Sequence, residues 1–188
     1  MIKGHMGKDK GVKQQDRFPK DHKHSSHGIS IRPANFMDGI YIAYLSEQVF
    51  GIYGSYSPII SQWFTSQRCR TLMAHTENGP VGFVMTGPLL IDKGSLVASE
   101  VLAIAVDPGY QANGIGSMLL QAIEDQAQKM HVEQLVLHTA RNNKSALRLF
   151  EAHGFCLKRS ISRFYPKGQD ALEMMKTLSH NKRLTTTG

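Results

Sequence analysis

Cysteine is scarce in this chain of 188 residues, which contains only Cys69 and Cys156. Two cysteines do not build the disulfide framework of a small secreted protein, and they favour a reducing compartment. No stretch approaches the length of about eighteen consecutive apolar residues that a membrane-spanning helix needs. The first eight residues also lack the apolar core of a signal peptide. The sequence therefore predicts a cytoplasmic protein without a membrane partner.

Charge is nearly balanced in the central part of the chain. The net charge is +7, from 22 Lys and Arg against 15 Asp and Glu. Residues 1–28 hold seven basic and three acidic side chains, and residues 179–188 add Lys182 and Arg183, so residues 29–178 carry only about +1. Because nucleic-acid binding normally needs a basic face on the fold, no nucleic-acid partner is expected.

The two ends of the chain have a different composition from its middle. Residues 1–28 are polar and lack hydrophobic periodicity, which predicts a disordered tail, native or partly expression-derived. Four histidines lie there without a frame of cysteines or carboxylates, so we expect solvated side chains and no metal site; they are His5, His22, His24 and His27. One domain is expected over residues 29–178, followed by a loose tail over residues 179–188.

Local patterns divide residues 29–178 into strands and helices. Asn35 is a good N-cap for a helix that runs to about Phe50, and Asn78-Gly79 is a strong hairpin turn. Strands are predicted over residues 29–32, 70–76, 81–90, 101–106, 134–140, 155–161 and 171–177. Helices are predicted from Asn35, through residues 59–64, after Gly116, and from Asn143 to Gly154. The first helix should bury one apolar face, formed by Ile40, Tyr44, Leu45 and Val49. Gly87-Pro88 should end or bend the strand predicted over residues 81–90. A turn is predicted over residues 92–95.

One stretch organises the rest. The apolar run over residues 101–106 predicts a strand buried on both faces, and Asp107-Pro108-Gly109 ends it. Helical spacing of apolar residues begins after Gly116. Between them lies Gln111-x-x-Gly114-x-Gly116, where glycines let a ligand approach the backbone and the first helical amides point outward, as in a phosphate site. The alternative is a tight turn that binds nothing.

The run Val106-Asp-Pro-Gly-Tyr-Gln111-Ala-Asn-Gly114-Ile-Gly116 resembles the acetyl-CoA-binding motif of the GCN5-related N-acetyltransferases, Gln/Arg-x-x-Gly-x-Gly/Ala. The segment from His138 through Asn143 to Gly154-Phe155 resembles the strand, Asn, helix and Gly-Phe element of the same family. Arg163-Phe-Tyr165-Pro166 resembles the branch that acetylates protein N-termini, which includes the ribosomal-protein alanine acetylases. The resemblance extends from about residue 29 to residue 178.

The resemblance implies an α/β fold with a mixed, mostly antiparallel sheet, splayed between its fourth and fifth strands and flanked by about four helices. It also implies acetyl-CoA as co-substrate. The pantetheine arm would pair with residues 104–106, the Ile104 N–H would bind the oxyanion, and the diphosphate would meet the amides that follow Gln111. The implied cofactor-binding residues are Ile104, Ala105, Val106, Gln111, Ala112, Asn113, Gly114, Ile115, Gly116, Ser117, Asn143 and Phe150.

Acetyl transfer requires an amine in its free-base form, so a nearby base is useful. The resemblance implies two candidates, Glu100 and His138, because different family members carry a catalytic Glu or His at these places. Strand alternation puts Glu100 on the same side as Leu102 and Ile104. The alternatives are an exposed strand-end carboxylate for Glu100 and a half-buried imidazole bonded to backbone for His138.

Phe150 departs from the family pattern, because many members have a Tyr there that protonates the departing thiolate. Tyr165 could take that role or line the acceptor pocket, which Tyr53, Tyr56 and Trp63 could also shape. We expect direct attack by a protein or peptide amine, with a small amine such as a polyamine or amino sugar as the alternative. A non-catalytic acyl-CoA-binding module is the rival class, supported by Phe150. A homodimer is left open.

Overall fold

The computed structural model describes residues 28–66, 68–89 and 98–178. The predictions for the two tails and for the turn at 92–95 therefore lie outside the described residues, except at Gly28. Strands are β1 (Ser30–Pro33), β2 (Arg70–Thr76), β3 (Gly79–Leu89), β4 (Ala98–Val106), β5 (Gln134–Ala140), β6 (Cys156–Ile161) and β7 (Ala171–Thr177). Helices are α1 (Gly39–Phe50), α2 (Ser57–Thr65), α3 (Ile115–Lys129) and α4 (Lys144–Ala152). The hairpin across Asn78-Gly79 and the Asn143 cap of α4 are confirmed.

The described strands form one mixed sheet in the order β1-β2-β3-β4-β5-β7-β6. The pairing of β4 with β5 is parallel and the other described pairings are antiparallel. Helices α3 and α4 pack one apolar core against one face of the sheet, around Leu119 and Phe150. Helices α1 and α2 pack a second core against the other face, around Leu45 and Phe83. The predicted fold class is confirmed, and no helix in the described part of the chain is long and apolar enough to cross a membrane.

Strand β4 contains an extra residue. Met85 pairs with Ala103, but Thr86 pairs with Val101, so Leu102 has no counterpart on β3. An extra residue turns every later side chain to the opposite face. Val101 and Ile104 accordingly join the core under α3, whereas Leu102 joins the core under α1 and α2. The prediction that Leu102 and Ile104 share one side is wrong for this reason, although the strand does contribute to both cores as expected.

Strands β4 and β5 diverge after a short pairing. The two strands pair only where Ala98–Val101 lies beside Gln134–Leu137. Beyond this point β4 still pairs with β3, and β5 still pairs with β7. The predicted splay is therefore confirmed. It opens a V-shaped gap in the middle of the sheet, and about half of the backbone N–H and C=O groups at the end of β4 point into this gap.

Helix α1 buries only part of the predicted face, because Leu45 is buried and Val49 packs on the same core, but Ile40 and Tyr44 do not. The buried side chains are Tyr41, Ile42, Leu45 and Ser46, while Ile40 is 82% exposed and Tyr44 is 41% exposed. Glu47 and Gln48 lie on the same side of the helix as Ile40 and Tyr44, so this side faces solvent and the opposite side packs against the sheet. Strand β3 also continues through Gly87-Pro88 to Leu89, with its irregularity at Met85 and Thr86.

Candidate active site

The gap between β4 and β5 forms a cleft of about 220 Å³. Its walls combine residues from both strands, the beginning of α4 and the loops that flank α2 and β7. The cleft brings together six of the predicted site residues, which are Glu100, Ile104, His138, Asn143, Phe150 and Tyr165. Tyr53, Tyr56 and Trp63 also line it, as the sequence suggested. The predicted residues at 105–106 and 111–117 do not line this cleft, and they come after Ile104 in the sequence.

Two carboxylates bracket the ring of His138. Its Nδ1 lies 3.0 Å from Glu100 Oε1, and its Nε2 lies 3.2 Å from Glu173 Oε2. The ring also stacks on Phe164 at a centroid distance of 4.8 Å and an angle of 16°. The hydrogen bond with Glu100, with a smaller effect of Glu173, raises the pKa of His138 against the opposing effect of burial. The ring therefore contacts side-chain carboxylates, and not the backbone, which was the alternative for this residue.

Glu173 is in turn held by Arg159. The guanidinium donates from Nε to Oε1 at 2.9 Å and from Nη2 to Oε2 at 2.8 Å. These hydrogen bonds are the largest reason that the pKa of Glu173 is lowered. Glu100, whose side chain is 25% exposed, faces the cleft with this network behind it. The four side chains form one chain of charges from the cleft to the surface.

Aromatic rings form a wall of the cleft that adjoins His138 through Phe164. The ring of Tyr165 lies 4.9 Å from that of Tyr53 and 6.0 Å from that of Tyr56. The loop that carries Tyr165 is tied to the loop before α2, because Lys167 Nζ donates to the Gly51 carbonyl at 2.7 Å and Gln169 Nε2 to that of Ile52 at 2.9 Å. Burial raises the pKa of Tyr165 well above its usual value. Segments more than a hundred residues apart thus form one surface.

Asn143 joins this wall to α4. Its Oδ1 accepts from the Ala146 amide at 3.1 Å, which caps the helix, and its side chain lines the cleft together with Tyr53. Burial raises the pKa of Tyr53, and an interaction with the Asn143 side chain opposes this effect. Phe150 lines the same cleft and has no polar side-chain atom.

The loop before α3 suits an anionic ligand. Gly114 is the N-cap with φ +77, no side chain caps the helix, and a Cβ at Gly114 would meet nothing within 4 Å. The first amides of α3 have no side-chain cap, and the space beside the Gly114 Cα is open, as the approach of a diphosphate requires. Gln111 and Asn113 stabilise the loop itself, because their side-chain amides donate to the carbonyls of Val106 and Tyr110.

At three of the predicted cofactor-binding residues, the side-chain position is needed for packing inside the protein. A Cβ at Gly116 would lie 3.0 Å from Leu149, so this glycine lets α3 and α4 approach closely. Ile115 and Ala105 are 1% and 2% exposed and belong to the two cores. Only the backbone of these two residues can therefore face a ligand.

Sequence reasoning missed Glu173, Arg159 and the role of Phe164. Glu173 was open to detection, because it interrupts the apolar residues of the strand Ala171–Thr177. Its contact with His138 depends on which strand lies beside β5, and no local pattern reports that. Phe164 stands inside a quoted motif, but its stacking on His138 requires the loop geometry.

Comparison with known proteins identifies relatives of this chain. The model of the acetyltransferase (GNAT) family matches residues 37–155. The [ribosomal protein bS18]-alanine N-acetyltransferase of Escherichia coli K12 is 31% identical over 107 residues, which cover 55% of this chain and 69% of that protein. Human N-alpha-acetyltransferase 30 is 36% identical over 74 residues, which cover 39% of this chain but only 20% of the human protein.

Solved structures show the same fold. The ribosomal-protein-S18-alanine N-acetyltransferase from Escherichia coli superposes with a TM-score of 0.68 at 23% identity, over 83% of this chain and 97% of that one. Arabidopsis thaliana NAA60 in complex with acetyl-CoA gives 0.69 at 20% identity, over 80% and 98%. The family model covers more than half of the sequence, the order of its motifs agrees with the fold, and this chain therefore belongs to the GNAT acetyltransferase family.

Proposed function

We propose that this protein is an acetyl-CoA-dependent N-acetyltransferase that acts on the α-amine of a protein or peptide. The observation that carries the proposal is the cleft where β4 and β5 diverge, which is lined by the Glu100–His138 pair at 3.0 Å and by a cluster of aromatic rings. Membership in the family supports an acyltransferase, and the names of the curated relatives support a protein N-terminus as acceptor.

Acetyl-CoA, when bound, supplies a thioester carbonyl for the amine to attack. The amide groups at the beginning of α3 would hold its diphosphate, and the open side of residues 104–106 would pair with its pantetheine amides. The N–H of Ile104 would donate to the carbonyl oxygen as negative charge develops there. The amine nitrogen bonds to the carbonyl carbon, the C–S bond breaks, the amine proton goes to the Glu100–His138 pair, and a proton returns to the thiolate.

The composition of the cleft favours an α-amine over a polyamine. Among the described residues that line it, Glu100 is the one carboxylate, so a second or third ammonium group would find no partner there. An α-amine also has a pKa of about 8, against about 10.4 for a lysine side chain, so a larger fraction is free base at neutral pH. The wall of Tyr53, Tyr56 and Tyr165 offers apolar surface and hydroxyls to a peptide.

An acceptor screen tests this function. The full chain is given acetyl-CoA with peptides that have a free α-amine, the same peptides blocked at the N-terminus but containing lysine, and spermine and glucosamine. We expect CoA release with the unblocked peptides, with the acetyl group located on the α-amine by mass spectrometry. Glu100→Gln should lower kcat by about 10²-fold. Acetylation of spermine or glucosamine alone would refute the protein acceptor.

The rival function is a non-catalytic acyl-CoA-binding module, which the absence of a hydroxyl at Phe150 favours. Tight binding of acetyl-CoA by calorimetry, together with no turnover of any acceptor in the screen, would support the module. The enzyme hypothesis requires turnover that Glu100→Gln removes without a loss of acetyl-CoA affinity. The two outcomes exclude each other.

A further inference from the structure

Glu173 occupies a position that couples the cleft to the protein surface. It lies on β7, directly opposite His138 on β5 and opposite Arg159 on β6. Its side chain is 18% exposed, while that of Arg159 is 66% exposed. The row Glu100, His138, Glu173 and Arg159 therefore crosses four strands and alternates in charge when the imidazole is protonated.

The hydrogen-bond chemistry of His138 identifies its charge state. An ionised carboxylate only accepts hydrogen bonds, and His138 has one carboxylate on each ring nitrogen, at 3.0 and 3.2 Å. Both contacts are hydrogen bonds only if both nitrogens carry a proton. Either neutral tautomer would set a nitrogen lone pair against a carboxylate oxygen. Arg159 contacts both oxygens of Glu173 and so stabilises this carboxylate in its ionised form.

No other charged group among the described residues that line the cleft opposes this arrangement. The remaining titratable side chains among the described residues that line the cleft are Tyr53, Tyr56 and Tyr165, and burial raises the pKa of each, so they are neutral near pH 7. Phe164 covers one face of the imidazole. The raised pKa of His138 and the lowered pKa of Glu173 have the directions that a charged pair requires.

We infer that Glu173 is a positioning residue that keeps His138 as an imidazolium, so that Glu100 is the group that accepts the proton of the acceptor amine. An imidazolium has no lone pair and cannot act as the base. It can hold Oε1 of Glu100 and leave Oε2 to accept the amine proton, directly or through one water. The inference rests on the proposed function for the role of Glu100, but the charge state of His138 can be measured without turnover.

The first experiment follows the His138 ring by NMR during a pH titration of the full chain. The signal is assigned by its loss in His138→Gln. Glu173→Gln should lower the titration midpoint by about one pH unit, because it removes the charge beside Nε2. Arg159→Gln is the matched control, because it removes a positive charge from the same row and should raise the midpoint. Urea unfolding checks that each variant is folded.

The second experiment compares the pH dependence of kcat/KM in wild type and Glu173→Gln. If Glu100 is the base, the acidic limb stays in place and the alkaline limb, where His138 loses its proton, moves to lower pH. If neutral His138 is the base, the acidic limb moves down with the NMR midpoint, and the inference is wrong. An unchanged NMR midpoint in both variants would also overturn it, whereas failure of the acceptor screen alone would refute only the proposed function.

Discussion

Gly114 combines a backbone conformation with an open position at a helix start. Its φ of +77 lies in the left-handed region, which residues other than glycine rarely adopt. A Cβ added at this position would project into free space. Gly154 has nearly the same conformation, with φ +79, at the end of α4 and away from the cleft. A comparison of the same substitution at the two glycines therefore distinguishes the effect of backbone strain from the effect of lost ligand contact.

We predict that Gly114→Val weakens binding of CoA at least tenfold, because a branched side chain would block the approach of phosphate to the helix amides. Both Gly114→Val and Gly154→Val should lower the free energy of unfolding by about 1–2 kcal/mol, because valine is strained in the left-handed conformation. Gly154→Val should leave the affinity for CoA unchanged. Calorimetry measures the affinity and urea unfolding the stability. Equal affinities for Gly114→Val and wild type would remove the diphosphate site from this loop.

Tyr53 offers a proton for the leaving thiolate where Phe150 cannot. Its side chain lines the cleft, and its hydroxyl interacts with the Asn143 side chain. Tyr165 is the other candidate, but its ring packs among Tyr53, Tyr56 and Phe164 as part of the wall. We therefore propose Tyr53 as the acid and Tyr165 as a pocket residue.

We predict that Tyr53→Phe lowers kcat by about 10²-fold with acetyl-CoA. The loss should shrink with acetyl thioesters whose thiols are more acidic, because such thiolates leave without a proton. The double variant with Phe150→Tyr should recover part of the rate, and Tyr165→Phe should change KM for the peptide more than kcat. A loss that is the same for every thiol would show that Tyr53 only shapes the pocket.

At the scale of elements, the entry to α1 depends on one carboxylate. Asp38 accepts two hydrogen bonds from Arg32, both at 2.8 Å, and one from the Asn35 amide at 2.7 Å. It is 6% exposed, and the Arg32 hydrogen bonds are the largest reason that its pKa is lowered. The same group therefore joins β1 to the first turn before α1 and closes the capping box.

We predict that Asp38→Asn lowers the free energy of unfolding by about 1–3 kcal/mol at pH 7. Because the folded-state pKa is depressed, the contribution of Asp38 is fully present above about pH 4, the usual pKa, and is lost as the pH falls through the folded-state pKa. The gap between wild type and variant should therefore narrow only below pH 4 in urea titrations. Asp125→Asn, on the exposed side of α3, serves as the control with no such gap.

The shape of the cleft also depends on elements, not on single residues. The extra residue at Leu102 and the early end of the β4–β5 pairing together open the sheet. Glu100 lies just before the divergence and His138 just after it, on neighbouring strands. Their contact follows from the register that pairs Glu100 with Val136, two positions before His138.

For the whole molecule, the two cores and the sheet lie within residues 29–178. We predict that removal of residues 1–27 leaves the melting temperature within about 2 °C and leaves CoA affinity unchanged, because none of the described contacts of the cores or the cleft needs them. Calorimetry measures both quantities on the same samples. A larger decrease in melting temperature or in CoA affinity would show that the tail has a structural role. The cytoplasmic location and the homodimer are not tested by the structure and stay predictions.

Much of this organisation could be predicted from local pattern. The hairpin at Asn78-Gly79, the cap at Asn143 and the turn before α3 are encoded within a few residues, so the sequence predicted them. The buried face of α1 was open to detection, because Glu47 and Gln48 mark the side of Ile40 and Tyr44 as polar. The side of Ile104 could not be predicted, because a strand with an extra residue has no unique periodicity.

The residues themselves determined the family, the order of elements and the glycine loop before α3, since each depends on neighbours along the chain. Only the tertiary structure decided that His138 lies between two carboxylates and that Tyr53 meets Asn143. Those contacts join residues 35 to 90 positions apart, and their distances depend on strand order and register. Short-range spacing carries no information about either, which is why Glu173 emerged from the fold alone.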